Sequence, residues 1–127
     1  IIGSLELRAV SPLRIVNASV HPDHIDVFTV NQTGKPQTAT ILGIVREIPE
    51  GEARFEVPFK VEGPEWDEFD RNLQKIDIIL ESKDYTDTYA AVYANREIKI
   101  HDKQVLVNGN PILLRGTVDE CVYPLTG

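Results

Sequence analysis

Along most of this chain apolar and polar residues alternate with a period of two, the pattern of strands with one buried face. Leu5, Leu7 and Ala9 alternate with polar partners, and Arg14 to Val20 forms a second run closed by His21-Pro22-Asp23. In His24 to Val30, Ile25, Val27 and Thr29 alternate with Asp26, Phe28 and Val30. After the turn residues Gln32-Thr33-Gly34-Lys35-Pro36, the β-branched run Thr38 to Val45 reads as one continuous buried strand. Arg54 to Val61 follows, with Phe55, Val57, Phe59 and Val61 on one face. Its Pro58 has no amide hydrogen for a ladder, which predicts an edge or bulged strand. Leu73 to Leu80 and Thr86 to Ala94 flank the break Glu81-Ser82-Lys83-Asp84. The single helical candidate is Glu65 to Asn72, a short stretch whose Pro64 and acidic residues suit a loop as well.

The reading is therefore all-β. About seven strands at roughly 8–12 residue spacing between positions 13 and 100 predict an antiparallel sandwich, with an immunoglobulin-like arrangement first. The last thirty or so residues differ in character. Lys103 to Val107 and Pro111 to Leu114 flank Asn108-Gly109-Asn110, and Asn-Gly is a strong hairpin signal because both residues tolerate positive φ. Ile112-Leu113-Leu114 then reads as a strand buried on both faces, as in a parallel sheet or barrel.

Composition narrows the function classes. The 127 residues are 42% hydrophobic and 26% charged, an ordinary globular balance. The net charge of −7 argues against a nucleic-acid partner and against an anionic membrane surface. No apolar run approaches the ~20 residues of a spanning helix. Cys121 is the single cysteine, so no internal disulfide forms, and the adjacent Asp119 and Glu120 oppose a reactive thiolate. The chain has no methionine and begins at Ile1, which points to a portion of a longer translation product. Asn17-Ala18-Ser19 and Asn31-Gln32-Thr33 fit the glycosylation sequon.

Two clusters carry candidate chemistry. His21-Pro22-Asp23-His24 offers two imidazoles and a carboxylate, where a metal site needs three or four converging ligands. No other histidine or cysteine clearly joins it, so it reads as a solvated turn and no metal is assigned. Glu65-Trp66-Asp67-Glu68 sets an aromatic beside carboxylates, as carbohydrate sites do, although a single Trp in an all-β chain also packs at a core edge.

The stretch Asn108-Gly109-Asn110-Pro111-Ile112-Leu113-Leu114-Arg115-Gly116 resembles the segment that opens the catalytic barrel in glycoside hydrolase family 2. Upstream segments agree in order. Tyr93-Ala94-Asn95-Arg96-Glu97 looks like the family's aromatic-Gly-x-Arg segment, with Ala94 at the glycine position. Trp66-Asp67-Glu68-Phe69-Asp70-Arg71-Asn72-Leu73 is similar to its Trp-x-x-x-x-Pro-x-Leu segment, with Arg71 at the proline position. Ile2-Gly3-Ser4-Leu5-Glu6-Leu7 is similar to the strand that closes the preceding sugar-binding-type domain.

The resemblance implies three parts. Residues 1–12 end a jelly-roll domain or form a linker, residues 13–102 form the immunoglobulin-like sandwich, and residues 103–127 begin the (β/α)8 barrel. It implies a parent enzyme that hydrolyses glycosidic bonds with retention, using two glutamates. The acid/base of such enzymes follows an asparagine. This chain has no Asn-Glu dipeptide, so no catalytic residue and no cofactor is assigned to it. Where many members continue with Val-Asn-x-His, this chain has Thr117-Val118-Asp119-Glu120-Cys121. Arg115, Asp119 and Glu120 become candidates for a pocket rim, because barrel sites form at the C-terminal ends of strands. The implied partners are the other domains of the same polypeptide and, in the parent, a carbohydrate substrate; the implied setting is bacterial, periplasmic or secreted. A free-standing carbohydrate-binding module acting through Trp66 and a structural or adhesive sandwich are the other two expectations.

Overall fold

The structure is a computed structural model and describes Gly3 and residues 7–116. Asp119, Glu120 and Cys121 lie outside the described residues. Strands β1 (Leu13–Val20), β2 (His24–Asn31) and β5 (Gly51–Pro58) form one antiparallel sheet in the order β1-β2-β5. Strands β3 (Gln37–Ile41), β4 (Ile44–Ile48), β6 (Leu73–Ser82) and β7 (Thr86–Ala94) form a second in the order β4-β3-β6-β7. A short meander of β8 (Ile98–His101), β9 (Gln104–Val107) and β10 (Asn110–Pro111) forms a third sheet in the order β10-β9-β8.

The two larger sheets share one apolar layer. Ile25 and Val27 from β2 and Val57 from β5 meet Ile41, Ile48, Ile78 and Leu80 from the other sheet, all fully buried. The inward residues are those that the period-two pattern selects. Side chains of this size pack at crystal-like density, so each also fixes its neighbours' rotamers. Leu13 and Ile15 extend the layer under β1, whose ladder to β2 shifts register between Ile15 and Asn17. Beyond that edge, the Ile15 amide donates to Asp87 Oδ2 on β7 at 2.7 Å, which joins one sheet to the other.

Several elements differ from the sequence reading. Thr38 to Val45 is not one strand. The chain reverses at Leu42-Gly43, with φ of 48° and 79°, and Ile41 pairs with Ile44. Leucine tolerates that backbone because its side chain packs on the core, an overriding tertiary gain. Glu65 to Asn72 is not helical. The Trp66 amide is taken by the Asn95 carbonyl at 2.9 Å, and the Asp67 carboxylate captures the next free amides. Residues 7–10 form no strand, and Leu7 is fully exposed. Ile112 to Leu114 is not a strand either. The Ile112 amide still donates to the Val105 carbonyl on β9 at 3.0 Å, but the ladder goes no further, and Leu113 and Leu114 are exposed.

Other readings agree with the structure. Among the described residues β5 pairs only with β2, so Pro58 sits on an edge strand, at its last residue. Asn108 and Gly109, with φ of 50° and 78°, turn β9 into β10 and bring Asn110 opposite Val107. Asp102 and Lys103 make a similar turn between β8 and β9, so the 102/103 division falls within a hairpin.

Four described polar residues are buried: Asp26, Thr29, Asn31 and Gln37. Asn31, 1% exposed, donates to the carbonyls of Lys35 (2.9 Å) and Ile48 (3.1 Å) and accepts from Thr33 N and Oγ1. It thereby satisfies the backbone of the β2–β3 turn and ties it to the end of β4. Asn31→Ala should destabilise the protein by roughly 3 kcal/mol, since it removes four side-chain hydrogen bonds at this turn, the buried one to the Ile48 carbonyl among them; chemical denaturation measures the loss.

Candidate functional site

The features that carry chemistry gather at one end of the two larger sheets, where the meander joins them. Trp66 and the segment Asn95 to Glu97 meet there. Glu65 pairs with Asn95 in a parallel bridge, and the Asn95 side-chain amide donates to the Gly63 carbonyl at 2.9 Å. Gly63 has φ of 103°, a backbone that favours glycine, and a Cβ there would also push aside the end of the Gln74 side chain, 2.8 Å away. The Arg96 guanidinium lies over the Trp66 ring, 4.7 Å from its centroid, a cation–π arrangement that occupies one aromatic face.

Asn108 closes the junction from the meander side. Its amide donates to the Glu97 carbonyl (2.9 Å), its Oδ1 accepts from the Glu97 amide (2.8 Å), and its Nδ2 donates to the Trp66 carbonyl (3.0 Å). The sequence pattern identified Asn108 as a turn former. The structure gives its side chain a second task, which no local pattern announces because Trp66 is 42 residues away.

A cleft of about 360 Å³ opens beside this junction, lined among others by His21, Pro22, Glu65, Arg96, Glu97 and Asn108. At its rim the β1–β2 turn carries the histidines. The His21 and His24 rings stack at 4.4 Å with a 13° interplanar angle. His21 Nε2 lies 3.2 Å from Asp26 Oδ2, and His24 Nε2 lies 4.0 Å from Asp26 Oδ1. Asp26 was not among the sequence candidates. Its placement at i+2 from His24 on the same strand face was the available signal. Asp26 is almost wholly buried and bound twice by Arg54, Nε to Oδ1 at 3.0 Å and Nη2 to Oδ2 at 2.9 Å.

The acids respond to these surroundings. Burial pushes the Asp26 carboxyl up, but the Arg54 bond and charge, with His21 and His24 behind them, outweigh it and hold it below the usual carboxylate range. The hydrogen bond to His24 Nδ1, at 2.7 Å, holds the Asp23 carboxyl down. The amides of Asp70 and Phe69, at 2.7 and 2.8 Å, do the same for Asp67.

Of the pocket-rim candidates, Arg115 is exposed on the irregular stretch after β10 and is absent from the cleft lining. Asp119 and Glu120 fall outside the described residues. No protein-family model and no curated protein sequence matches this chain.

Two predictions follow from the junction. Asn108→Ala should cost about 2–3 kcal/mol, from two lost side-chain hydrogen bonds and a Cβ residue less tolerant of positive φ; equilibrium denaturation reads it. Asp67→Ala should lower the melting temperature at neutral pH. The folded pKa of Asp67 is depressed, so its contribution is complete above the unfolded value near ~4 and is lost as pH falls through the folded value. The gap between the variant and the parent should close in melts run at progressively lower pH below about 4.

Proposed function

We propose that this chain is a non-catalytic, immunoglobulin-like domain of a retaining glycoside hydrolase of the family 2 type, carrying the opening of that enzyme's barrel at its C-terminal end. Its task is mechanical: it fixes where the barrel begins relative to the domains before it. One observation carries this reading. The separate segments that resemble the family, around Trp66, Tyr93 to Glu97 and Asn108 onward, meet at one junction through the Arg96–Trp66 stack and the Asn108 hydrogen bonds. Residues with a shared structural task have reason to be held in contact, whereas a chance motif match has none.

The strand orders β1-β2-β5 and β4-β3-β6-β7 support the immunoglobulin-like assignment, since sandwiches of that class divide their strands in this way. The exposure of Leu113 and Leu114, 73% and 68%, supports a continuation that covers them. The free-standing carbohydrate module is less well supported. A sugar stacks on an open aromatic face, and Arg96 already occupies one face of a half-buried Trp66.

The test compares two proteins on a panel of aryl β-glycosides. The 127-residue chain should give no turnover above background, and the full polypeptide that contains it should release the sugar with retained anomeric configuration, followed by NMR. Turnover by the 127-residue chain alone, or a full polypeptide inert on the panel, overturns the proposal.

A further inference from the structure

We infer that His21, His24 and Asp26 form a binding site for one divalent cation of the zinc class, at the rim of the cleft and independent of the domain role proposed above. Each residue offers one ligand atom, and the three atoms lie within 4.8 Å of one another. In a tetrahedral site with bonds near 2.0–2.1 Å, ligand atoms stand roughly 3.3 Å apart. The His21–Asp26 separation of 3.2 Å already matches, and the His24–Asp26 separation of 4.0 Å needs only a small approach. The rings are stacked, and Nε2 of each lies within 4.0 Å of an Asp26 oxygen. With Asp23 holding His24, a tilt of His21, whose side chain is 42% exposed, brings the two nitrogens toward one point.

The carboxylate is the fixed member. Asp26 sits on β2, the central strand of its sheet, with an 8% exposed side chain that Arg54 holds by two bonds. Each carboxylate oxygen has two acceptor positions, so Arg54 leaves one on each for the histidine side. Asp23 supplies the outer partner. Its Oδ1 lies 2.7 Å from His24 Nδ1, and a carboxylate in that position accepts the Nδ1 proton. That leaves the Nε2 lone pair unprotonated toward Asp26, the arrangement by which metal-bound histidines are oriented. The charge balance also favours a cation. Three carboxylates, those of Asp23, Asp26 and Glu56, the residue opposite Asp26 on β5, stand against two guanidinium groups, that of Arg54 and that of Arg46, whose Nη2 lies 3.5 Å from the Glu56 carbonyl.

The donor set selects the ion. Two imidazoles and one carboxylate suit zinc, copper or nickel, whereas calcium and magnesium require mostly oxygen ligands. The fourth position of a three-ligand site falls to water or to a molecule in the adjoining cleft, which His21 also lines.

The experiment uses the 127-residue chain with Cys121→Ser, so that the thiol contributes nothing, after removal of bound metal with a chelator. Zn²⁺ is titrated by calorimetry, and Co²⁺ is followed by the visible absorption of its four-coordinate complex. One ion per chain should bind. His21→Gln and His24→Gln should each weaken binding at least about tenfold, and Asp23→Asn about 10–100-fold, with the strand circular-dichroism signal unchanged. His101→Gln, on the exposed β8, should change nothing. Absence of stoichiometric binding, or binding that persists in the His21→Gln/His24→Gln double variant, overturns the inference.

Discussion

The seven strands of the two larger sheets are placed by the apolar layer between those sheets. Strands carry side chains alternately to either face, so a single row of inward residues on each strand sets its register. Ile25 and Val27 on β2 illustrate the constraint. A slip of one residue would turn Asp26 and Phe28 into the core and expose the row that now meets Ile78 and Leu80. The position of Asp26 beside His21 and Arg54 follows from the same requirement. The polar constellation at the cleft rim is thus a by-product of hydrophobic register, held in place by burial rather than by its own weak attractions.

The junction with the meander works differently. Few large apolar side chains are buried there, and Ile98 and Ile100 face outward. The connection rests on hydrogen bonds from the side chains of Asn95 and Asn108 to backbone carbonyls and on one stacked guanidinium. Such contacts are directional, so they define an angle between parts more sharply than a greasy interface would.

Much of the fold was legible in sequence because the period of two is a direct image of burial. The Asn108-Gly109 turn and the edge position of Pro58 were legible because each rests on the backbone chemistry of one or two residues. Leu42-Gly43 escaped because leucine at positive φ is stabilised by packing that only the folded state supplies. The apolar content of Ile112 to Leu114 predicted burial, but burial requires a neighbour, and composition does not say where the neighbour lies. At the site, the imidazoles were visible as a local cluster. Arg54 was not, because it reaches Asp26 across a strand pair that joins residues 28 positions apart.

The two sequons have opposite fates in this fold. Asn17 is exposed on β1, with the Tyr89 hydroxyl 3.3 Å from its Oδ1, and an oligosaccharide on its nitrogen has solvent to occupy. The Asn31 nitrogen is already spent on two internal carbonyls. An oligosaccharide transferred to it during synthesis would have to be accommodated where the β2–β3 turn closes, so the modified chain is barred from completing that turn. In a host that glycosylates nascent chains, closure of this turn and sugar transfer therefore compete for the same amide, and the yield of folded protein becomes a race between them.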